Sequence, residues 1–455
     1  MKLFFDPKSA VLIGASANKF RPGYQLFLNM QSSLGDNFYP VNPSLGEIEG
    51  KKCYKSVLDI PAAIDLAVIF IPAAAVPETL EQCAQKGIKA VIIESAGFDE
   101  VGEEGHKLAD RCLAIACKHG MRLWGPNCMG SINACNGKIF SFMNASWKKN
   151  LRPGQVSLVV QSGMLSAGFL MHILSVKNFG LSKVCSVGNK MDVDEVDLME
   201  YFVNDPETGV IAMYLESMKR GRAFFELARS TDKPVAVLKS GRSASGQAAA
   251  KSHTASLAQD DAILDSAFRQ AKIIRVYGME ELMEVARCLS ISPSRLTKKP
   301  QVAVLTFSGG AGVVCSDDVN DLGMEIARLK PETLKRIKAV FPEWMDPSNP
   351  VDVYPAIEKN GPIRVFTESL DALMVDDGVD AIFMHIFAIP AAQGMFMFDQ
   401  LSELVKKYQK PLVAWVIGHG ETAKKVAAEL EAHNIAVVDE IAKGIRIIAA
   451  LTMRR

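Results

Sequence analysis

The feature that most restricts the fold of this chain is an alternation. Short apolar runs rich in valine and isoleucine, each stopping at small or turn-forming residues, are separated by stretches of helical periodicity. In the first part the runs are SAVLIGAS, FYPVNP, DLAVIFIP, KAVIIESA and RLWGPN. Helical patterns fall between them, for example from Val76 to Lys86 and from Glu103 to His119. A continuous apolar run of roughly four to eight residues suits a strand covered on both faces. Such strands, alternating with helices, predict an α/β fold built on parallel sheets.

The alternation restarts twice. After a turn-rich bridge near NASWKKNLRPG come QVSLVVQSG, SKVCSVGN, GVIAMYLES and KPVAVLKSG. A second bridge, SISPSRLTKKPQ, carries prolines and a basic cluster, as a linker does, and QVAVLTFSGG, VDAIFMHIFA, KPLVAWVIGHG and IAVVDE follow it. A chain of 455 residues exceeds what one core supports. Three domains are expected, at residues 1–130, 131–295 and 300–455. VSLVVQSGMLSAG beside VAVLTFSGGAGVV, and KPVAVLKSG beside KPLVAWVIG, suggest that the last two repeat one flavodoxin-like, doubly wound unit. Parallel strands ending in glycine also look alike without duplication.

Composition removes several function classes. Lysine plus arginine equals aspartate plus glutamate, 51 each, so no basic excess invites nucleic acid or an anionic membrane. No apolar run reaches the roughly 18–20 residues that span a bilayer. The opening MKLFFDPKSAVLIGAS breaks at Asp6-Pro7 and lacks the apolar core of a signal peptide. Nine scattered cysteines without a C-x-x-C pair predict a reduced, cytoplasmic protein with neither a disulfide framework nor a metal site.

In open α/β sheets ligands gather beyond the carboxyl ends of the strands. The first such end is Gly14-Ala15-Ser16, where small residues let backbone N–H groups approach a phosphate. The glycine spacing is not G-x-G-x-x-G, and the second strand ends in PVNPS rather than on an acid, which disfavours a nicotinamide dinucleotide. Ile71-Pro72, Ser95 to Phe98 and Gly125 to Asn127 end later strands; turn chemistry alone also accounts for each. Ser162-Gly163 and Ser308-Gly309-Gly310 each place a helix start beyond a buried strand. Two such N-termini facing each other could hold a phosphoryl group; close helix–strand packing is the alternative. Glu216 follows the strand GVIAMYL, and Gly188, Asn189 and Asp192 follow another, whereas an acidic helix start explains Asp194 and Glu195 without function.

His253 stands in KSGRSASGQAAAKSHTASLAQDD, a run too small and polar to fill a core. Imidazole is a nucleophile at neutral pH when a carboxylate fixes one ring nitrogen and leaves the other free. No second histidine or cysteine lies at ligand spacing, so metal ligation is disfavoured. A structural or surface histidine is the competing account.

These segments, with DLAVIFIPAAAVPETLEQCAQKGIKAVIIESAGF, GPNCMG, VVQSGMLS, SVGNKMDVD, YLES and FSGGAGV, run in one order over nearly the whole chain. In that order the chain resembles the NDP-forming acyl-CoA synthetases, specifically the α subunits of the ADP-forming acetyl-CoA type, relatives of succinyl-CoA synthetase. The resemblance implies an N-terminal Rossmann-like CoA-binding domain and two flavodoxin-like ligase domains. It implies a CoA cleft at Gly14, Ala15, Ser16, Asn42, Pro72, Ser95, Gly97 and Asn127. Arg21 would do the work of the lysine that the family often places before the glycine of SANKFRPG. It further implies phosphate at Ser162, Gly163, Gly309 and Gly310, with Glu216 orienting a phosphorylated His253 on a mobile loop. Acyl-CoA and phosphate would give an acyl phosphate, His253 would take the phosphoryl group, and ADP would receive it. After Asp439 only one helix is expected, which leaves no room for an ATP-grasp domain. ADP or ATP with Mg2+ is therefore expected on a partner β subunit, in an α2β2 assembly. Ala255 and Gln259 replace glycines of the usual motif, and the acyl group is not legible. A catalytically silent CoA-binding scaffold and a nicotinamide-linked dehydrogenase are the alternative functions.

Overall fold

The computed structural model describes residues 1–177, 179–247, 260–294, 297–390 and 398–452. The chain divides into two compact units, Met1–Ala286 and Arg287–Arg455.

In the first unit, β1 (Ala10–Ile13) and β2 (Phe38–Val41) precede a short antiparallel pair, β3 (Glu47–Ile48) and β4 (Lys51–Lys52). β5 (Leu66–Ile69), β6 (Ala90–Ile93) and β7 (Arg122–Trp124) follow. Five of these make an all-parallel sheet in the order β2-β1-β5-β6-β7. Helices α1 (Pro22–Leu34), α2 (Val76–Gln85) and α3 (Glu103–His119) make the crossovers. The inner strands β1, β5 and β6 are buried on both faces, and their side chains alternate between two cores. Val11, Ile13, Ala67, Ile69, Val91 and Ile93 pack on α2 and α3, through residues such as Leu80 and Cys112. Ala10, Leu12, Leu66, Val68, Ala90 and Ile92 face the other way. This two-sided burial is why the strands read as continuous apolar runs rather than alternating ones.

A second sheet completes this unit. It comprises β8 (Ser131–Asn133), β9 (Lys138–Phe140), β10 (Pro153–Val160), β11 (Leu181–Ser186), β12 (Val210–Leu215), β13 (Val235–Lys239) and β14 (Ile274–Val276), in the order β14-β13-β12-β10-β11-β8-β9. Strands β10 to β14 are parallel; β8 runs antiparallel to β11, and β9 antiparallel to β8. Its helices include α4 (Gly163–His172), α5 (Glu195–Asn204) and α6 (Gly221–Ser230).

The two sheets share one core. Leu12, Val68 and Ile92 belong to the same buried cluster as Val159, Met213 and Val237. The N-terminal residues Phe4 and Phe5 sit in this seam. Phe5 stacks on Tyr201 at 4.9 Å and meets the edge of Trp124 at 5.8 Å, while Phe4 lies 5.3 Å from Trp124. The carbonyls of Phe4 and Phe5 accept from Ser131 Oγ and Asn133 Nδ2, which fastens the N-terminus to β8.

The second unit carries β15 (Gln301–Thr306), β16 (Glu325–Ile326), β17 (Val351–Asp352), β18 (Ala381–Ala388), β19 (Leu412–Gly418) and β20 (Ala436–Val438). The order is β16-β15-β18-β19-β20, with β17 also pairing with β15. Counted by parallel strands, and leaving β17 aside, the three larger sheets repeat the 2-1-3-4-5 order of a flavodoxin-like sheet. The expected α/β class holds, and so does each quoted strand run. Sequence periodicity overlooked the short strands β3, β4, β14, β16 and β17 and the β8–β9 hairpin, where Asn136-Gly137, with Gly137 at φ +71, makes the turn. An Asn-Gly pair between short apolar runs is its sequence signal. The bridge near NASWKKNLRPG is a 3-10 helix, Ala145–Asn150, running into β10.

Candidate functional site

A 2-1-3-4-5 sheet has one place where neighbouring crossovers leave in opposite directions, between its first and third strands. In the first sheet that place lies between β1 and β5. Gly14 leaves β1 at φ +101, and a Cβ there would stand 2.1 Å from the Phe70 carbonyl oxygen at the end of β5, so only glycine fits. A Cβ on Gly23, in the first turn of α1, would likewise stand 2.7 Å from the Gly14 carbonyl oxygen. The backbone is thereby pulled tight and a cleft of about 590 Å³ opens beyond the strand ends.

Of the sequence-predicted CoA residues, Gly14, Ala15, Ser16, Arg21, Asn42, Pro72, Ser95 and Asn127 line this one cleft. Their side chains also brace the loops that form it. Asn42 Nδ2 donates to the Ala15 carbonyl at 2.8 Å. Ser95 Oγ accepts from Ile71 N–H, and the Ser95 carbonyl accepts from Asn127 N–H, tying the ends of β5, β6 and β7 together. Arg21 is the N-cap residue of α1, whose first turn has no side-chain cap. Gly97 stands outside the cleft lining: its N–H is held by Glu100 Oε1 at 2.6 Å, and its φ of +108 serves the turn.

Periodicity did not single out Phe70, Glu94, Cys128 and Phe142, which line the same cleft. Glu94 is the least expected. It is 4% exposed, and both of its carboxylate oxygens are buried without a hydrogen-bond partner. Burial pushes its carboxyl well above the usual carboxylate range.

The cleft ends on the second sheet. Gly163, the first residue of α4, and Met164 belong to its lining, and a Cβ on Gly163 would meet the Asn127 carbonyl oxygen at 3.7 Å. Ser162 is the N-cap of α4 but makes no side-chain cap bond, so the helix start carries no side chain of its own over its first N–H groups. Between β10 and β12, Gln161 Oε1 accepts from the N–H groups of Glu216 and Ser217, at 2.8 and 3.0 Å, and Gln161 Nε2 donates to Ser217 Oγ. Tyr214 O–H donates to Glu216 Oε1 at 3.2 Å. The buried Lys190 ammonium holds the Ser217 carbonyl at 2.6 Å and Glu195 Oε2 at 2.7 Å. Glu195 opens α5 behind its N-cap Asp194, as the acidic helix start in the sequence suggested, and is also half of an ion pair with both side chains 0% exposed. Asp192 accepts from Arg122 Nε and Leu123 N–H.

His253 lies outside the described residues, as do Ala255 and Gln259. A second cavity of about 590 Å³ opens at the carboxyl ends of β12 and β13, lined by Lys239, Arg242, Ser243, Gly246 and Asp261 among others. Gly246 and Asp261 of this lining flank, in sequence, the segment 248–259 that lies outside the described residues. In the second unit, Ser308 is the N-cap of the helix Gly309–Asp321, again without a side-chain cap bond. A Cβ on Gly309 would stand 3.1 Å from Asp352 Oδ2, so a carboxylate approaches that helix start. Among the described residues no group of three His, Cys, Asp or Glu side chains is placed to hold a metal ion, and no helix is long and apolar enough to cross a membrane.

Residues 8–134 match the family model of a CoA binding domain, and residues 153–289 match that of a succinyl-CoA ligase like flavodoxin domain. The acetate–CoA ligase [ADP-forming] II subunit alpha of Pyrococcus furiosus is 35% identical over 439 residues, covering 95% of this chain and 93% of that protein. The acetate–CoA ligase [ADP-forming] II of Archaeoglobus fulgidus is 37% identical over 451 residues, 98% of this chain; the chain spans only 66% of that longer relative. Among solved structures, the dinucleotide forming acetyl-coenzyme A synthetase 1 of Ca. Korarchaeum cryptofilum, in complex with phosphate and ADP, superposes with a TM-score of 0.89. It is 30% identical, with 99% of this chain and 96% of that one covered.

Proposed function

The chain belongs to the ADP-forming acetate–CoA ligase family, and from that premise we propose that it is the CoA- and phosphate-handling subunit of such a ligase. It converts acyl-CoA, phosphate and ADP into acid, CoA and ATP, and runs reversibly. One observation carries the proposal: the cleft built from Gly14, Asn42, Ser95 and Asn127 ends on Gly163, at an uncapped helix N-terminus. The fit to CoA is physical. Glycines at Gly14 and Gly23 leave space that a Cβ would fill, as close backbone approach to a phosphate requires. Arg21 supplies a cation at the entrance, and the N-terminal dipole of α4 favours an anion where the thioester end would lie.

In the first half-reaction phosphate attacks the thioester carbonyl and CoA leaves, giving an acyl phosphate. In the second, an imidazole nitrogen of His253 takes the phosphoryl group and releases the acid. Glu216 steadies the phosphohistidine by accepting its remaining ring N–H. Gln161, which clamps the backbone at Glu216 and Ser217, keeps that carboxylate at the strand end. Transfer to ADP then regenerates the imidazole. The nucleotide, with Mg2+, sits on a partner subunit of the ATP-grasp type in an α2β2 assembly in the cytoplasm; Ser308, Gly309 and Gly310 form a second phosphate station. The three domains of the sequence-based division, 1–130, 131–295 and 300–455, carry CoA, phosphohistidine and this second station respectively.

The test is to assemble the chain with its nucleotide-binding partner and supply acetyl-CoA, ADP and phosphate. ATP should form, with acid-labile phosphate on His253, and His253→Ala should lower turnover by at least about 10³-fold. CoA binding without any turnover, or full activity in His253→Ala, refutes the proposal and leaves a CoA-binding scaffold.

A further inference from the structure

We propose that Glu94 is a catalytic residue of the thioester half-reaction, carrying the proton between phosphate and the CoA sulfur. This rests on the ligase function proposed above and adds to it a group that the functional motifs do not supply.

Its position comes from the sheet. Glu94 is the first residue past β6, and its N–H still donates to the Ile69 carbonyl at 3.0 Å, so the strand direction carries its side chain to the cleft wall. Across from it runs the loop 127–130. A Cβ on Gly130, at φ +70, would stand 2.5 Å from Glu94 Oε1, so glycine there makes room for the carboxyl. The same loop touches the start of α4, through the Asn127 carbonyl beside Gly163. Glu94 and the uncapped helix N-terminus thus flank one loop, at the end of the cleft where CoA's reactive sulfur and the phosphate would meet.

Its chemistry differs from that of other buried acids in the first unit. Glu195 is paired with Lys190, Asp194 with Arg220 and Asp205 with Lys183. Glu94 has no partner on either oxygen. A buried carboxyl placed only for structure is normally hydrogen-bonded, and an unpaired one against a ligand cleft marks a functional group. The titratable neighbour facing it is Cys128, whose thiol burial pushes well up, with the Glu94 carboxyl adding to the effect. Cys128 Sγ is turned to the Ile93 carbonyl at 3.4 Å. Arg21 is the cationic side chain of the same cleft lining, and burial is what raises the Glu94 carboxyl.

The step balances. An oxygen of HPO4 2− attacks the carbonyl carbon, and the tetrahedral adduct expels sulfur with the C–S electron pair. The sulfur takes the proton of Glu94, giving CoA–SH. The Glu94 carboxylate takes the proton of the former phosphate, leaving the acyl phosphate dianion. Glu94 ends neutral, as it began. In reverse, Glu94 gives its proton to the acyl phosphate and takes that of the thiol, so that thiolate attacks.

The two half-reactions can be measured apart in the complex of chain and partner. Glu94→Gln is neutral and of equal size, so the melting temperature and CoA affinity should match wild type. Acetyl phosphate formation from acetyl-CoA and phosphate should fall by about 10²-fold or more, while ATP formation from acetyl phosphate and ADP stays within about twofold of wild type. Glu94→Asp should restore part of the thioester step and move its pH profile. If Glu94→Gln melts early, Glu94→Asp alone decides, through that pH profile. Thioester cleavage within about threefold of wild type in the variant, or equal loss in both half-reactions, overturns the proposal. A wild-type complex inactive in both overturns the ligase function itself.

Discussion

Lys190 and Glu195 form an ion pair with no exposure on either side chain. Burial pulls the Lys190 ammonium below its usual range, against the attraction of Glu195. Desolvating two charges nearly cancels their attraction, so the pair adds little net stability, but removing one partner strands the other. Lys190→Met should therefore cost about 3–5 kcal/mol in equilibrium unfolding, and adding Glu195→Leu should recover most of it. A double variant no more stable than the single one would refute this coupling. At the residue scale, much of the candidate site was legible. Gly14, Asn42, Ser95 and Asn127 come at strand ends, where a parallel sheet offers its ligands. Two things were not legible. Lys190 pairs with Glu195 because the backbone turns back at Lys190, φ +55, and no periodicity reports such a turn. Glu94 looked like one more residue before the small-residue turn SAG, since nothing local says that its carboxyl meets no partner.

At the scale of elements, β18 carries a histidine into the middle of a buried sheet. His385 is 0% exposed; its Nδ1 pairs with Thr306 Oγ1 at 2.8 Å and its Nε2 faces Cys315 Sγ at 3.3 Å. Thr306 Oγ1 in turn donates to the Ser308 carbonyl and accepts from Ser308 N–H, so the histidine braces the turn that starts the helix Gly309–Asp321. Burial lowers the imidazole to about 4 from its ordinary 6.5. The neutral form is thus favoured in the fold, and its stabilisation is complete above pH 6.5 and lost as pH falls towards 4. Over that window wild type should lose roughly 3 kcal/mol more than His385→Asn, read from urea unfolding of both at several pH values. Parallel slopes would refute it. Elements of this kind were legible because both faces of each strand are covered, which leaves long apolar words in the sequence. The β8–β9 pair was lost because its strands are three residues each and sit at an edge.

At the scale of the whole chain, motif order marked a boundary near residue 130, and a sheet boundary does fall between β7 and β8. The core ignores it. Phe4, Phe5 and Trp124 on one side of that boundary are buried with Phe140, Cys185 and Phe202 on the other. Burying each such aromatic is worth about 1.5–3 kcal/mol, so a fragment of residues 1–130 would expose a large apolar face. That fragment should bind hydrophobic dyes and melt without a cooperative transition, whereas residues 1–286 should unfold in one step. A sharp melt for the short fragment would show the seam to be dispensable. Sequence patterns mark where strands begin and end, but not which apolar face meets which, and so the seam was invisible in them. The seam also bears on how such a chain can change over time. A genetic crossover at residue 130 would import a surface shaped for another partner sheet, so the two halves are expected to pass between chains together, as one cassette, rather than singly.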